Sequence, residues 1–426
     1  MNQKKPSEHQ MNFTTIVLAG GMGTRLQSVV ADRPKPMALI NGKPFLAYLL
    51  ENLIQQGADE IILAVGHMSE IIAGYFQDRY LDITIKYSYE DELLGTGGAI
   101  RQALSHSSQS TNIVLNGDSW LDMDYQTLLE EKTDKDTPMR LVLTPMTNFD
   151  RYGTVTFDES GLVQSFQEKQ FKEAGYINAG IYLIDREWYL AHSPIGKFSL
   201  ETELLPKMVD LGLLRATVFQ GFFIDIGIPE DYLRAKKMFL GAWTNAAPWF
   251  LFLDRDGVIN ERIPNHYIQN TEEFKWCPGN PEAIAALSKM AERTFVVTNQ
   301  AGIGKKILSE ENLEKIHGYL IKEVASLGGT LDGVFYCPHL TSELCDCRKP
   351  QIGLGYKASE FFPEIDFKRS IMVGDSISDI QFGQKLGMVT VLIHTKSDEY
   401  DANSIQIADI QCDSLADLVD LISISK

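Results

Sequence analysis

Cysteine is scarce in this 426-residue chain: there are five, and three fall in the stretch CPHLTSELCDCRKP, from Cys337 to Pro350. So few exclude a disulfide-stapled fold, and in a reducing compartment clustered cysteines bind metal more often than they form disulfides. Positive charge is short as well. The 39 Lys and Arg against 57 Asp and Glu leave a formal net charge of −18, which argues against nucleic acid and anionic membranes as partners. Small anions are not excluded, because a few Lys, Arg, backbone amides and magnesium ions can hold them locally. No apolar run approaches the roughly 18 residues of a membrane span. The opening MNQKKPSEHQM is polar and lacks the apolar stretch of a secretory signal. These absences point to a soluble, cytoplasmic protein with a disordered or tag-like tail over residues 1–12. They leave open whether it forms a homo-oligomer.

What is present is enough chain for two domains, each able to bury its own core. From TTIVLAGG through PFLAYLLENLIQQG, EIILAVG, SEIIAGYF, TIKYSYE, TGGAIRQAL and NIVLNGD, strand-like runs alternate with helix-period segments. This is βαβ logic, implying a mostly parallel sheet with helices on both faces. After LGAWTNAAP the alternation restarts with WFLFLDRDG, PEAIAALSKMAE, RTFVVTNQ, ENLEKIHGYLIKEVASLG, RSIMVGDS and MVTVLI. The expected fold class is α/β, with one domain over 13–238, a linker over 239–248 and a different α/β domain over 249–426.

In the first half, LAGGMGTRL lies between a strand and a helix. Glycines let backbone N–H groups approach phosphates, and a helix N-terminus favours anions. Arg25 adds a charged fork. The spacing is not the GxxxxGK[ST] of an ATPase loop. Two prolines in RPKPM stiffen the segment around Lys35. Asp118 and Asp225 each end an apolar strand, where ligands of open α/β sheets gather, and carboxylates there suit magnesium. Taken singly, each piece has a plain alternative: a tight turn, a surface lysine, a helix cap.

Together, LAGGMGTRL…RPKPM…LGTGGA…NGD…FIDIGIPEDY resembles the sugar-1-phosphate nucleotidyltransferases, with their Rossmann-like fold, over nearly all of residues 13–238. The resemblance implies attack of a sugar phosphate on the α-phosphate of an NTP, with pyrophosphate leaving. It implies that Gly20, Gly21, Gly23, Thr24 and Arg25 cradle the triphosphate and that Lys35 stabilises the leaving group. Asp118 and Asp225 would hold magnesium. Gly95, Thr96, Gly97 and Gly98 would approach base and ribose, Lys169 the sugar phosphate, and Glu168, Asn178 and Glu201 the sugar hydroxyls. NFDRYGTV and FIDIGIPEDY look closest to the heptose-1-phosphate guanylyltransferases. Resemblance, rather than the residues themselves, selects heptose and GTP.

In the second half, FLFLDRDGVIN ends an apolar strand with Asp254 and Asp256. A DxD pair there puts two carboxylates near one site; a pair of turn-forming aspartates is the plain alternative. VVTNQAG adds Thr298 and Asn299, CRKP adds Arg348 and Lys349, and MVGDSISDI adds Asp375 and Asp379. This order resembles the haloacid dehalogenase superfamily of phosphatases over 249–395. The resemblance implies nucleophilic attack on phosphorus by Asp254 and acid–base work by Asp256. It places magnesium on Asp254, the backbone carbonyl of Asp256 and Asp375. Thr298, Asn299 and Lys349 would hold the phosphoryl group, and Asp379 would orient Lys349 or a metal-bound water. Cys337, His339, Cys345 and Cys347 form a Cys₃His set typical of a closed structural zinc site. In this reading the zinc clamps the stem that presents Arg348 and Lys349. Cys277 and Cys412 read as buried core thiols, and His266 as a loop residue near substrate.

The cysteine loop is similar to the branch holding heptose-1,7-bisphosphate and histidinol-phosphate phosphatases. The two resemblances interlock. One activity would remove the 7-phosphate of heptose 1,7-bisphosphate, and the other would join the resulting heptose 1-phosphate to GMP from GTP. The short interval from His339 to Cys345 is closer to the histidinol-phosphate enzymes and keeps that substrate as an alternative. A further alternative makes one domain a non-catalytic scaffold or ligand binder.

Overall fold

Apolar runs that lack polar alternation become strands covered on both faces. In the computed structural model, which describes residues 11–21, 26, 30, 32–131, 133–167, 169–263, 266–394 and 408–423, they build two large sheets. The chain divides into two compact units, Met1–Tyr232 and Leu233–Lys426.

The sheet of the first unit has eight strands. Their spatial order is Leu214–Val218, Met139–Phe149, Lys172–Asp185, Thr111–Asn116, Phe13–Leu18, Ala58–Val65, Ile83–Tyr89 and Arg79–Tyr80. The centre is parallel: Phe13–Leu18 pairs parallel with both Ala58–Val65 and Thr111–Asn116. Lys172–Asp185 runs antiparallel to both of its neighbours, so the sheet is mixed. Helix Phe45–Gln55 buries Phe45, Leu46, Leu49, Leu50 and Leu53, an apolar stripe of helical period.

The second unit has a six-stranded sheet, ordered Gly333–Cys337, Arg293–Asn299, Phe250–Leu253, Ser370–Gly374, Val389–Ile393 and Ile410–Cys412. Every pairing in it is parallel. In both sheets the first central strand has later strands added on one side, after which the chain returns to its other side. Such a reversal opens a crevice at the strands' carboxyl ends, where ligands bind in open α/β sheets. In the first unit it lies between Phe13–Leu18 and Thr111–Asn116, and in the second between Phe250–Leu253 and Ser370–Gly374.

The segment 239–248, expected as a linker, contains a helix. Leu240–Ala246 is a helix whose Leu240 and Trp243 are buried in the core of the second unit, and the Arg369 guanidinium lies 4.1 Å from the Trp243 ring centroid. The division between units falls within helix Pro229–Met238, slightly before the expected boundary. At the other end of the chain, residues 1–10 lie outside the described residues. Met11, assigned to the tail, is fixed: its N–H donates to Gln126 Oε1 at 2.9 Å and its carbonyl accepts from Gln126 Nε2 at 3.0 Å. Cys412 belongs to the second core, whereas Cys277 is half-buried. No helix among the described residues is long and apolar enough to cross a membrane.

Candidate active sites

The first crevice contains a cavity of about 540 Å³ lined by Gly20, Gly21, Lys35, Asp118 and Asp225, among others. Asp225 ends the short strand Phe223–Asp225, which pairs with Ser119–Leu121 and sets Asp225 opposite Ser119. That pairing brings two carboxylates distant in sequence to one point. Lys35 occupies it: its Nζ lies 2.7 Å from Asp118 Oδ2 and 2.8 Å from Asp225 Oδ1. Burial raises the Asp225 pKa, with the neighbouring Asp118 charge adding to it and Lys35 opposing. For Lys35 burial acts downward, but the two carboxylates outweigh it and hold the ammonium above its ordinary value. Thus Lys35 is engaged by the acids rather than standing free over the cavity. Gly227 closes the cluster, since a Cβ there would come within 2.9 Å of Lys35 Nζ.

The glycines of LGTGGA have a different role from the one expected of all four residues. Gly95 and Thr96 line the cavity, but Gly97 and Gly98 are buried beneath the segment 196–198. A Cβ on Gly97 would lie 2.1 Å from the Phe198 ring, and one on Gly98 would lie 2.5 Å from the Gly196 carbonyl. The Gly97 N–H donates to the Phe198 carbonyl at 3.1 Å, and the Phe198 N–H donates to that of Leu94 at 2.9 Å. The glycines are therefore a seat for Phe198, and what the seated loop delivers to the cavity is Lys197.

Thr96 Oγ1 accepts from the Leu200 N–H at 2.9 Å and donates to Glu201 Oε2 at 2.6 Å, so Glu201 is tied to the same seat. Asn178 is spent internally: its Nδ2 donates to the Tyr182 hydroxyl at 2.9 Å and its Oδ1 accepts from the Gly180 N–H at 2.8 Å. Lys169 is exposed and does not line this cavity. Gly23, Thr24, Arg25 and Glu168 lie outside the described residues. Sequence reasoning missed Glu90, Asn116 and Lys197, all of which line the cavity. Glu90 was discoverable as the acid ending the strand-like run TIKYSYE.

The second crevice holds a more polar cavity of about 420 Å³. Asp254 follows strand Phe250–Leu253, and its N–H donates to the Val373 carbonyl at 2.9 Å. Lys349 reaches it from a loop nearly a hundred residues away and is 3% exposed. Its three hydrogens are all used: Nζ lies 2.7 Å from Asp254 Oδ1, 2.6 Å from Asp379 Oδ1 and 2.7 Å from the Val297 carbonyl. Asp379 works at both ends. Its other oxygen accepts from the Ser376 hydroxyl at 2.6 Å, in the capping box of helix Ile377–Leu386. Burial pushes the Asp254 pKa up to about 7, opposed by Lys349 and aided by Asp379 and Asp256. Burial likewise carries Asp375 well above its ordinary value.

Asp256 differs. Burial would raise its pKa, but Arg255, Asn260 and Gln300 outweigh burial and hold the carboxyl below its ordinary range. Arg255 Nη2 lies 2.9 Å from each carboxylate oxygen, Asn260 Nδ2 donates to Oδ1 at 3.0 Å, and Gln300 Nε2 donates to Oδ2 at 2.8 Å. Asn299 is occupied by the Lys349 backbone: its Oδ1 accepts from that N–H at 3.0 Å and its Nδ2 donates to that carbonyl at 3.1 Å. The Thr298 hydroxyl accepts from Gln300 at 2.9 Å and keeps its own hydrogen for a ligand. His266 and Arg348 line the cavity. Gln300 was missed because nothing in TNQAG separates a structural glutamine from one aimed at a carboxylate.

Two groups can hold metal ions. Ligand atoms of Asp254, Asp375 and Asp379 lie within 4.8 Å of one another, as do those of Cys337, His339, Cys345 and Cys347. In the second group Sγ of Cys345 is 3.5 Å from those of both Cys337 and Cys347, and His339 Nδ1 is 3.2 Å from Cys347 Sγ. Ligands about 2.0–2.3 Å from a tetrahedral zinc stand at such separations. Gly257 makes room for the carboxylates: its φ is +97°, and a Cβ there would lie 1.9 Å from Asp375 Oδ2.

Comparison with known proteins matches each unit separately. The nucleotidyl transferase family model covers residues 14–240, and a HAD-hydrolase-like model covers 346–418. The D-glycero-alpha-D-manno-heptose 1-phosphate guanylyltransferase of Campylobacter jejuni subsp. jejuni serotype O:2 is 48% identical over 217 residues, spanning 51% of this chain and 96% of that protein. A protein of the same name from Aneurinibacillus thermoaerophilus is 40% identical over 222 residues, 52% of this chain and 96% of that one. Further along, the D-glycero-alpha-D-manno-heptose-1,7-bisphosphate 7-phosphatase of Mycobacterium bovis is 41% identical over 138 residues, 32% of this chain and 73% of that protein. The chain thus belongs to the nucleotidyl transferase family through its first half and to the haloacid dehalogenase-like phosphatases through its second, two enzymes in one polypeptide.

Proposed function

We propose that the second unit removes the 7-phosphate of D-glycero-D-manno-heptose 1,7-bisphosphate and that the first unit transfers GMP from GTP to the resulting heptose 1-phosphate, releasing pyrophosphate. The observation that carries this reading is the pairing of relatives: the product in the name of one is the substrate in the name of the other. In this reading the chain works in the cytoplasm, where GTP is at hand.

In the phosphatase site Asp254 attacks phosphorus and forms an aspartyl-phosphate. Lys349 neutralises Asp254 and Asp379, and Arg348 and Thr298 contact the phosphoryl oxygens. Asp256 gives a proton to the leaving alkoxide and then takes one from the attacking water. The incoming phosphate dianion favours the protonated form, against Arg255 and Gln300. Asp254, Asp375 and the Asp256 carbonyl would hold magnesium, which supplies charge neutralisation for the transferring phosphoryl group. The Cys₃His knot would hold zinc as a structural clamp, with no open position for chemistry.

In the transferase site the sugar phosphate oxygen displaces pyrophosphate from the α-phosphorus without a covalent intermediate, so positioning and charge compensation are the protein's work. Gly20 and Gly21 take the triphosphate and Lys197 an anionic group of the substrates. Asp118 and Asp225, which already converge on one cationic group, would hold magnesium once Lys35 yields to the ligand. Incubation with heptose 1,7-bisphosphate, GTP and magnesium should yield a GDP-heptose, phosphate and pyrophosphate. Preferential release of phosphate from histidinol phosphate would overturn the reading of the second unit; preference for another NTP would overturn that of the first.

A further inference from the structure

Gln300 is buried, 1% exposed, and it touches three functional elements at once. Its Nε2 donates to Asp256 Oδ2 at 2.8 Å and to Thr298 Oγ1 at 2.9 Å. Its backbone N–H donates to the carbonyl of Cys337, the first residue of the Cys/His knot, at 2.7 Å. A carboxylate is acceptor-only, so the amide nitrogen must face Asp256 and the side chain has one productive orientation. The knot grips the same segment a second time, for the Gly304 N–H donates to the Pro338 carbonyl at 3.0 Å. A Cβ on Gly304 would come within 2.9 Å of that carbonyl oxygen, so the two backbones meet closely.

We propose that Gln300 is a positioning residue for Asp256, fixing that carboxyl group relative to the scissile ester and tying it to the backbone of the Cys/His knot. The inference rests on the phosphatase reading above, in which Asp256 is the proton donor. As the phosphorus–leaving oxygen bond breaks and the bond to Asp254 forms, the Asp256 proton passes to the leaving oxygen. The arriving water later returns a proton to Asp256. Arg255 and Asn260 grip the carboxylate from its own chain segment; Gln300 is the contact that comes from the neighbouring strand's end, and it sets the tilt of the group toward the cavity.

The test compares kcat/KM on two esters with the full-length protein and magnesium. Heptose 1,7-bisphosphate releases a sugar alkoxide, which needs a proton. p-Nitrophenyl phosphate releases a phenolate, which does not. Gln300→Leu keeps the volume and removes the donor. It should lower kcat/KM on the sugar ester by about 10-fold or more, within the range that acid catalysis supplies, and on the aryl ester by less than about 2-fold. Gln300→Met, which keeps the length of the side chain and removes the donor without adding a charge beside Asp256, should give the same split. Equal losses on both esters, or loss of all turnover in both variants, would assign Gln300 a merely structural role and overturn the proposal; no loss on either would also overturn it. Asp256→Asn in the same assay separates the two ideas. Without an alkyl–aryl split in that variant, the proton-donor reading itself fails. With a split there but none in the Gln300 variants, only the positioning role fails.

Discussion

Both crevices use one device, a lysine ammonium held between two aspartates, and the two copies differ in burial. Lys35 and its partners Asp118 and Asp225 have side chains 12% and 31% exposed, so water reaches the cluster. Lys349 and its partners are sealed, at 1% for the lysine, 11% for Asp254 and 2% for Asp379. The difference follows from the chemistry each must perform. In the proposed mechanism the first site admits two large, highly charged substrates and brings no side chain into covalent contact, so its carboxylates would stay accessible to a cation that arrives with the nucleotide. In the same mechanism the second holds Asp254 in place while its carboxylate forms a bond to phosphorus. A sealed ion pair cannot drift, because unpairing a buried charge is costly.

The sharpest break of this comparison is Asp254→Asn. It should reduce phosphatase activity by about 10³-fold or more, as loss of a covalent nucleophile does, while pyrophosphate release from GTP and heptose 1-phosphate is unchanged. The reciprocal change, Asp118→Asn with Asp225→Asn, should cost the transferase about 10²–10³-fold and leave phosphate release intact. If either change reduced both activities in a folded protein, the independence of the two sites would be refuted. Burial itself is probed by Lys349→Met against Lys35→Met in urea unfolding followed for each unit. The first should destabilise its unit by about 3–5 kcal/mol and the second by less than half of that, because solvent screens the partly exposed acids. Equal losses would remove burial as the distinguishing feature. The smallest effect is expected from Cys345→Ser or zinc chelation: a decrease of about 10-fold in phosphatase activity, with the transferase spared. Undiminished phosphatase turnover in protein shown to be metal-free at the knot would exclude a clamp.

The sequence made legible the residues that end strands. Asp118, Asp254 and Asp375 each follow an apolar strand that pairs parallel with a neighbour in a large sheet, which puts such positions at the crevice; Asp225 also ends an apolar run, but it reaches the crevice on a two-stranded antiparallel ribbon. The α/β class and the two-part division follow from the same alternation. Less legible was what loops bring in from elsewhere. Lys197, Gln300 and the Phe198–Gly97 contact depend on backbone approaches between segments separated by up to a hundred residues, and no local spacing encodes those. The GTGG run shows how this misleads: a glycine required by a close approach looks the same in sequence whether a phosphate or a phenyl ring is the visitor. The helix within residues 239–248 escaped notice for a related reason. Its Leu240 and Trp243 are ordinary core residues in a segment too short for periodicity to reveal a helix.

The fit of Phe198 over Gly97 also has an evolutionary reading. With 2.1 Å between a notional Cβ and the ring, the two positions share one fixed volume, so neither can change freely while the other stands. A methyl group at 97 becomes tolerable only where 198 carries something smaller than a phenyl ring, and relatives should therefore vary at these positions as a pair. A Gly97→Ala substitution alone should dislodge the loop that carries Lys197, and shrinking Phe198 in the same chain should restore it.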